Sequence, residues 1–280
     1  MLITSFQNPR VKYLRSLRLK KHRRREGRFL VEGIRLVTEA LACGAAVETL
    51  VYAPDLLVSE RAQALVEGVE PGRRLALASE VFASLSERDT PQGIIALLRI
   101  EDRPLSAIPL LDDLFVIVAY QLQNPGNLGA IIRTAGAAGA TAVIIVEPSA
   151  DLYDPQTVRA TMGSLFALPI VRLADHASLA AWYAAVRLSG LSLQVVASSA
   201  HGETVHFDAV YDRPLALLIG SERQGLPPVA RDEADVVVRL PMAGRATSLN
   251  AAAAAAALIY EIVRQRRASK PRPASCGQVG

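Results

Sequence analysis

Two cysteines among 280 residues, Cys43 and Cys276, are too few for a disulfide framework or a cysteine-based zinc site. The four histidines, His22, His176, His201 and His206, stand singly without the paired spacing of metal ligands, so no metal is expected. Aromatic residues make up only 5%, which excludes base stacking as the main grip on a nucleic acid. No run approaches the ~18 apolar residues of a membrane span, and no apolar signal core opens the chain. A cytoplasmic protein without a membrane partner is the expectation. No Gly-x-Gly-x-x-Gly opens a helix, which removes the common dinucleotide-binding dehydrogenases. Gly220 and Gly225 have the glycine spacing of a P-loop, but Leu226-Pro227 follows where Lys-Ser or Lys-Thr is required. A Gly-x-Ser-x-Gly nucleophile elbow is absent too.

What is present describes a globular protein with a well-filled core: 51% hydrophobic and 21% charged residues. The length suits two domains of common size, or one large one. The net charge is only +4, but its distribution is lopsided. Between Arg10 and Arg28 stand ten Lys or Arg residues and one acid, Glu26, and Lys20 to Arg25 holds five positive charges in six residues. Such a run is either a solvated face or a polyanion contact, and the imbalance favours the latter. Arg10, Lys12, Lys20, Lys21, Arg23, Arg24 and Arg25 are the candidate phosphate contacts. Leu14, Leu17 and Leu19 interrupt the charges, as in an amphipathic helix.

Residues 1–100 then alternate short strands (29–31, 47–52, 75–78, 94–99) with helices (34–42, 59–67, 79–85), a small α/β unit. Residues 101–113, rich in Pro and Asp, read as a linker. Residues 114–267 alternate again. Strands are expected at 114–119, 142–146, 170–172, 193–197, 215–219 and 236–240, with helices at 126–138, 154–164, 177–189 and 227–232, as in a parallel sheet covered on both faces. Residues 268–280 have the Ser, Pro, Lys and Gly composition of a disordered tail.

Three stretches put polar residues and glycine at the carboxyl end of an expected strand, where open α/β sheets bind ligands. The first is Asn124-Pro125-Gly126-Asn127-Leu128-Gly129-Ala130-Ile131-Ile132-Arg133. The second is Leu218-Ile219-Gly220-Ser221-Glu222-Arg223-Gln224-Gly225-Leu226. The third, from Leu240 to Asn250, contains Pro241, Met242, Gly244, Ser248 and Leu249, and leads into seven alanines and Leu258-Ile259-Tyr260. There Pro241 ends the strand, Gly244 permits a left-handed turn, and Thr247 or Ser248 suits the N-cap of an alanine-rich helix running to about Arg266. A helix with such small sides is expected to be packed all round.

Taken in order, these stretches resemble the three motifs of the SpoU–TrmH family of RNA ribose 2′-O-methyltransferases. Ser5-Phe6-Gln7-Asn8-Pro9, Phe29-Leu30-Val31-Glu32-Gly33 and Pro91-Gln92-Gly93-Ile94 are similar to that family's RNA substrate-binding domain. The resemblance implies a parallel-sheet catalytic domain of SPOUT type with a deep C-terminal trefoil knot, preceded by a small α/β RNA-binding domain. It implies S-adenosyl-L-methionine as cofactor, a homodimer, and structured RNA as substrate, ribosomal RNA before transfer RNA. A non-catalytic RNA-binding protein of the same fold is the rival from another class.

By the same resemblance, Asn127, Arg133, Glu222, Ser248 and Asn250 form the polar catalytic cluster. Gly220, Leu240, Met242, Gly244 and Leu249 hold the cofactor. Arg133 admits two roles: a clamp for phosphate or alkoxide, or a structural ion pair with Glu222. It is a poor general base, because guanidinium is effectively never neutral in proteins. The alternative role for Glu222 is to brace its loop by accepting backbone N–H bonds. One segment departs from the family pattern: Tyr120-Gln121-Leu122-Gln123 stands where an acidic residue is common after the strand.

Overall fold

The computed structural model describes residues 2–269. The expected tail lies outside them except for residues 268 and 269, which extend the last helix. In the N-terminal third, β1 (Leu2–Ile3), β2 (Arg28–Glu32), β3 (Val47–Tyr52), β4 (Arg74–Leu77) and β5 (Ile94–Arg99) form a mixed sheet in the order β1-β4-β3-β5-β2. Along β5, Ile95 and Leu97 face helices Pro9–Ser16 and Ser79–Ala83, while Ile94, Ala96 and Leu98 face the opposite core with helices Ile34–Ala42 and Glu60–Glu67. That alternation is the two-residue period of a strand buried on both faces.

The second sheet comprises β6 (Phe115–Tyr120), β7 (Ala142–Val146), β8 (Ile170–Leu173), β9 (Gln194–Ser198), β10 (Thr204–Val205), β11 (Leu215–Ile219) and β12 (Val236–Arg239). Its order is β10-β12-β9-β11-β6-β7-β8, and every pair is parallel. Phe115, Ile117 and Ala119 point to the face covered by helices Pro125–Ala137 and Ala251–Ser269. Val116, Val118 and Tyr120 point to the other, under Leu179, Trp182, Tyr183 and Val186 of helix His176–Leu188. The chain leaves β6 toward β7 and β8, then crosses to the far side, so the strand order reverses between β6 and β11. The crevice at the carboxyl ends of two such strands is the usual ligand site of an open α/β sheet.

The seam between the two sheets is packed rather than open. One apolar cluster runs from Phe29, Val31 and Leu36 through to Ile117, Ile131 and Leu217. The Phe29 and Tyr153 rings lie 4.6 Å apart. The expected linker is docked too: Ile108 is buried, Arg172 pairs with Asp102 at 2.5 Å, and the Tyr153 hydroxyl donates to the Glu101 carbonyl.

The structure corrects several local expectations. The basic start is two helices, Pro9–Ser16 and Lys20–Glu26, broken at 17–19 where Leu17 turns into the core and Leu19 stays exposed. Positive φ at Met162 and Gly163 breaks the helix expected at 154–164 into Pro155–Ala160 and Ser164–Ala167. The alanine-rich helix is not packed all round: Ala251, Ala255, Leu258, Ile259 and Ile262 are buried, whereas Ala253, Ala257 and Tyr260 are exposed. Its cap is neither Thr247 nor Ser248. The Asn250 side-chain oxygen accepts from the backbone N–H groups of Ala252 and Ala253 at 2.9 and 3.3 Å. Gly244 does not adopt a left-handed conformation.

Candidate active site

The loop after β11 folds back on itself. Ser221 and Gly225 form an isolated bridge, Gly225 takes φ +64°, and the Ser221 hydroxyl accepts from the Gln224 N–H at 3.3 Å. This hairpin-like return brings the backbone of Gly225 against Gly220. A Cβ on residue 220 would lie 2.4 Å from the Gly225 carbonyl carbon and 2.6 Å from the Leu226 nitrogen. Glycine is therefore required at 220 by close approach. The loop forms one wall of a cleft of about 330 Å³, within reach of the lower range for small-molecule sites.

Leu240, Met242, Ser248 and Leu249 line the opposite wall, with Ala251, Ala254 and Leu258 of the last helix beneath. Of the candidate cofactor residues, Gly220, Leu240, Met242 and Leu249 thus share one cleft. Gly244 does not line it, and a Cβ there would meet no atom within 4 Å. An apolar wall facing a loop of backbone donors and acceptors suits a flat heterocycle joined to a polar chain. The residues present fit S-adenosylmethionine.

At the mouth of the cleft three polar side chains form a chain. The Asn250 amide donates to the Asn127 side-chain oxygen at 3.0 Å, and the Asn127 amide donates to the Glu222 carboxylate. Asn250 is thus satisfied on both sides, by the start of its own helix and by Asn127. Asn127 is placed by the Asn124 cap, whose side chain accepts the Asn127 N–H at 3.0 Å, with Pro125 fixing the first turn. Residues 127, 222 and 250 come from the first turn of helix Pro125–Ala137, the loop after β11 and the cap of the last helix, brought together only by the fold. Ser221 braces the loop after β11, while Glu222 is turned toward Asn127.

Arg133 lies six residues farther along helix Pro125–Ala137 and is exposed. Among the described residues no ion pair joins it to Glu222. The structural-pair alternative is thereby removed. The glutamines that depart from the family pattern have backbone partners. Gln121 donates to the Glu147 carbonyl at 3.4 Å, and Gln123 to those of Gln121 and Pro148 at 3.0 and 2.7 Å. They tie the loop after β6 to the loop after β7.

The fold also adds residues to the cleft that the sequence reading missed. Ser198 ends β9, Ser199 and His201 follow it, and Arg223, Gln224 and Arg231 complete the rim. The Ser-Ser-Ala-His string at a strand's carboxyl end was the available signal for the first group. The Arg231 Nε is buried with no hydrogen-bond partner among the described residues. Tyr120 faces the other core; burial, with Glu233 and Asp175 beside it, holds its phenol above the ordinary range.

Among the candidate phosphate contacts, Arg10, Lys12, Lys20, Lys21, Arg24 and Arg25 are exposed. Arg23 is not: it is 2% exposed and bonded to Asp151. It has no surface to offer a polyanion. No helix among the described residues is long and apolar enough to cross a membrane, and no cluster of three or more His, Cys, Asp or Glu among them is placed to hold a metal.

A parallel α/β sheet, a glycine-walled cleft at the carboxyl ends of β9, β11 and β12 and a polar chain at the cleft mouth define a cofactor-binding enzyme. Residues 114–260 match the SpoU rRNA Methylase family, and residues 8–96 match the MRM3-like substrate binding domain. The chain belongs to the SpoU rRNA Methylase family. It is 38% identical over 248 residues to the 23S rRNA (uridine(2479)-2′-O)-methyltransferase of Streptomyces viridochromogenes, covering 88% of this chain and 86% of that one. To a 23S rRNA (guanosine(2553)-2′-O)-methyltransferase of Bacillus subtilis it is 31% identical, covering 93% and 98%. The crystal structure of the SpoU methyltransferase AviRb from S. viridochromogenes with AdoMet superposes with a TM-score of 0.88 at 36% identity, covering 94% of this chain and 100% of that one. An AdoMet-bound rRNA methyltransferase from Sinorhizobium meliloti gives 0.84 at 37% identity, covering 94% and 97%.

Proposed function

We propose that the protein methylates a ribose 2′-hydroxyl of ribosomal RNA, using S-adenosylmethionine. The observation that carries the reading is the Asn250–Asn127–Glu222 chain at the mouth of the Gly220 cleft. The names of the relatives support ribosomal rather than transfer RNA. When bound, the cofactor supplies an electrophilic methyl group on a sulfonium. The protein's part is then to hold a ribose hydroxyl in line and stabilise the charge that develops on it, which is mainly positioning. Asn127, Glu222, Ser248 and Asn250 set the hydroxyl's surroundings, and Gly220, Leu240, Met242 and Leu249 hold the cofactor. Arg133, exposed and unpaired with Glu222, offers a planar two-pronged donor to a backbone phosphate or to the developing alkoxide.

Residues 1–100 form the RNA-gripping domain in this reading, with Arg10, Lys12, Lys20, Lys21, Arg24 and Arg25 on phosphates. Residues 114–267 form the catalytic domain, with the knot of its family. The exposed stripe Ala253, Ala257 and Tyr260 favours a homodimer, since small side chains allow close approach of a second helix. Light scattering should then give about twice the 30.0 kDa of one chain. The test of the reaction is incubation with methyl-labelled S-adenosylmethionine and ribosomal or transfer RNA, followed by digestion to nucleosides. Label in a 2′-O-methylnucleoside from ribosomal RNA is expected. Label on a base, or none, would refute the reading, and label from transfer RNA alone would refute the substrate.

A further inference from the structure

One cation of the basic run is turned inward, and its carboxylate partners lie on the far side of the seam. Arg23 Nη1 donates to the carbonyls of Leu17 and Arg18 at 3.0 and 2.6 Å. Its Nε and Nη2 both donate to one oxygen of Asp151, at 3.1 and 2.6 Å, and Nη2 lies 3.5 Å from Asp154. Arg23 and Asp151 are 2% and 8% exposed. A buried ion pair is a weak source of net stability, because desolvation offsets most of the attraction. It is strongly directional, however: a planar guanidinium bonded on both edges tolerates little sliding of one partner past the other.

The far side of this contact is the bracing of the candidate active site. Asp151 follows β7 at the same sheet edge as the cleft. In its loop the Ala150 N–H donates to the Leu122 carbonyl at 2.6 Å, and the Pro148 carbonyl accepts from Gln123. Leu122 and Gln123 lead directly to Asn124, the cap that places Asn127. Asp154 caps helix Pro155–Ala160, which packs against helix Pro125–Ala137 so closely that a Cβ on Gly129 would lie 2.5 Å from the Thr157 carbonyl oxygen. Meanwhile Lys20, Lys21, Arg24 and Arg25, on the same short helix as Arg23, stay exposed.

We propose that Arg23 is a positioning residue: clasped to Asp151, it holds the RNA-gripping cations at a fixed offset from Asn127 and Arg133 and so selects which nucleotide is methylated. The proposal rests on the function given above. Three variants of the full chain test it: Arg23→Lys, Asp151→Asn, and the double variant Arg23→Met/Asp151→Leu, which replaces the pair by apolar side chains. Each is assayed on intact ribosomal RNA for kcat, KM, cofactor affinity, melting and the position of every 2′-O-methyl group. Cofactor affinity should stay within about twofold and KM for RNA within about threefold, since neither set of contacts is touched. The kcat at the target should fall at least about tenfold in the double variant, with methyl groups appearing on neighbouring nucleotides. Wild-type kcat and a single methylated nucleotide in a cooperatively melting double variant or Asp151→Asn would overturn the role. So would loss of cooperative melting in all three variants, which would make the pair a folding requirement. A wild-type protein that methylates no ribose would instead refute the function itself.

Discussion

A methyl group placed on residue 220 meets backbone at 2.4 Å, whereas one on residue 244 meets nothing within 4 Å. Gly220→Ala should therefore distort the loop after β11 and weaken S-adenosylmethionine binding at least about tenfold by calorimetry, whereas Gly244→Ala should leave it within about twofold. Equal affinities in the two variants would remove the Gly220 wall from the cofactor site. Arg133 gives a second comparison. Because it is exposed and forms no ion pair with Glu222, Arg133→Lys should change the melting temperature by less than about 1 °C. If its planar fork holds phosphate or alkoxide, the same variant should lose most turnover. Retained turnover would take Arg133 off the catalytic list. At this scale the motif residues were legible: 127, 222 and 250 stand far apart in sequence, yet their resemblance to family motifs placed them in one cluster. The inward turn of Arg23 was not legible. In a run of five cations in six residues nothing local marks which one faces in; its partner, Asp151, is 128 residues away.

Elements were legible where apolar periodicity was long and uninterrupted. The strands at 142–146 and 215–219 and the helix at 34–42 fall at their expected bounds, because β-branched runs and an amphipathic stripe leave little alternative. What failed was decided by single backbone conformations. The break at Met162 and Gly163 carries positive φ at a methionine, for which composition gives no warning. The two-residue strands Leu2–Ile3 and Thr204–Val205 are too short to show a period. Helix packing supplies a prediction at this scale. Alanine is ordinarily the better helix former, but at 129 its Cβ would meet the Thr157 oxygen at 2.5 Å and Ala160 at 2.6 Å. Gly129→Ala should cost about 1–3 kcal/mol in denaturant melts, while Gly72→Ala, whose Cβ meets nothing within 4 Å, should be nearly neutral. A neutral Gly129→Ala would mean that the two helices have room to separate.

For the whole molecule, buried phenols, one of them at the seam between the sheets, contribute to alkaline stability. Burial pushes the Tyr153 phenol at this seam up to about 12, with Arg172 opposing, and burial likewise raises Tyr211 to about 12. In the unfolded chain both ionise near 10. Above pH 10 the unfolded state therefore releases protons that the folded state keeps, so stability falls as pH rises from about 10 to 12. At pH 11 the loss should be about 1 kcal/mol per tyrosine relative to pH 9, and Tyr153→Phe should remove one such share. An identical loss in Tyr153→Phe would mean that the phenol is not held neutral at the seam. The docking of residues 101–113 was hidden from sequence because Pro and Asp mark a linker whether or not a few apolar residues anchor it; Ile108 is the anchor. In the proposed reaction the Asn250–Asn127–Glu222 chain beside the Gly220 cleft positions a ribose of ribosomal RNA for methyl transfer. The most direct measurement is a map of 2′-O-methyl groups in ribosomal RNA from cells carrying the wild-type protein, lacking it, or carrying Asn127→Ala. One nucleotide should be resistant to alkaline cleavage in the first and sensitive in the other two. Resistance at that nucleotide restored by Asn127→Ala, or maps identical in all three, would contradict it.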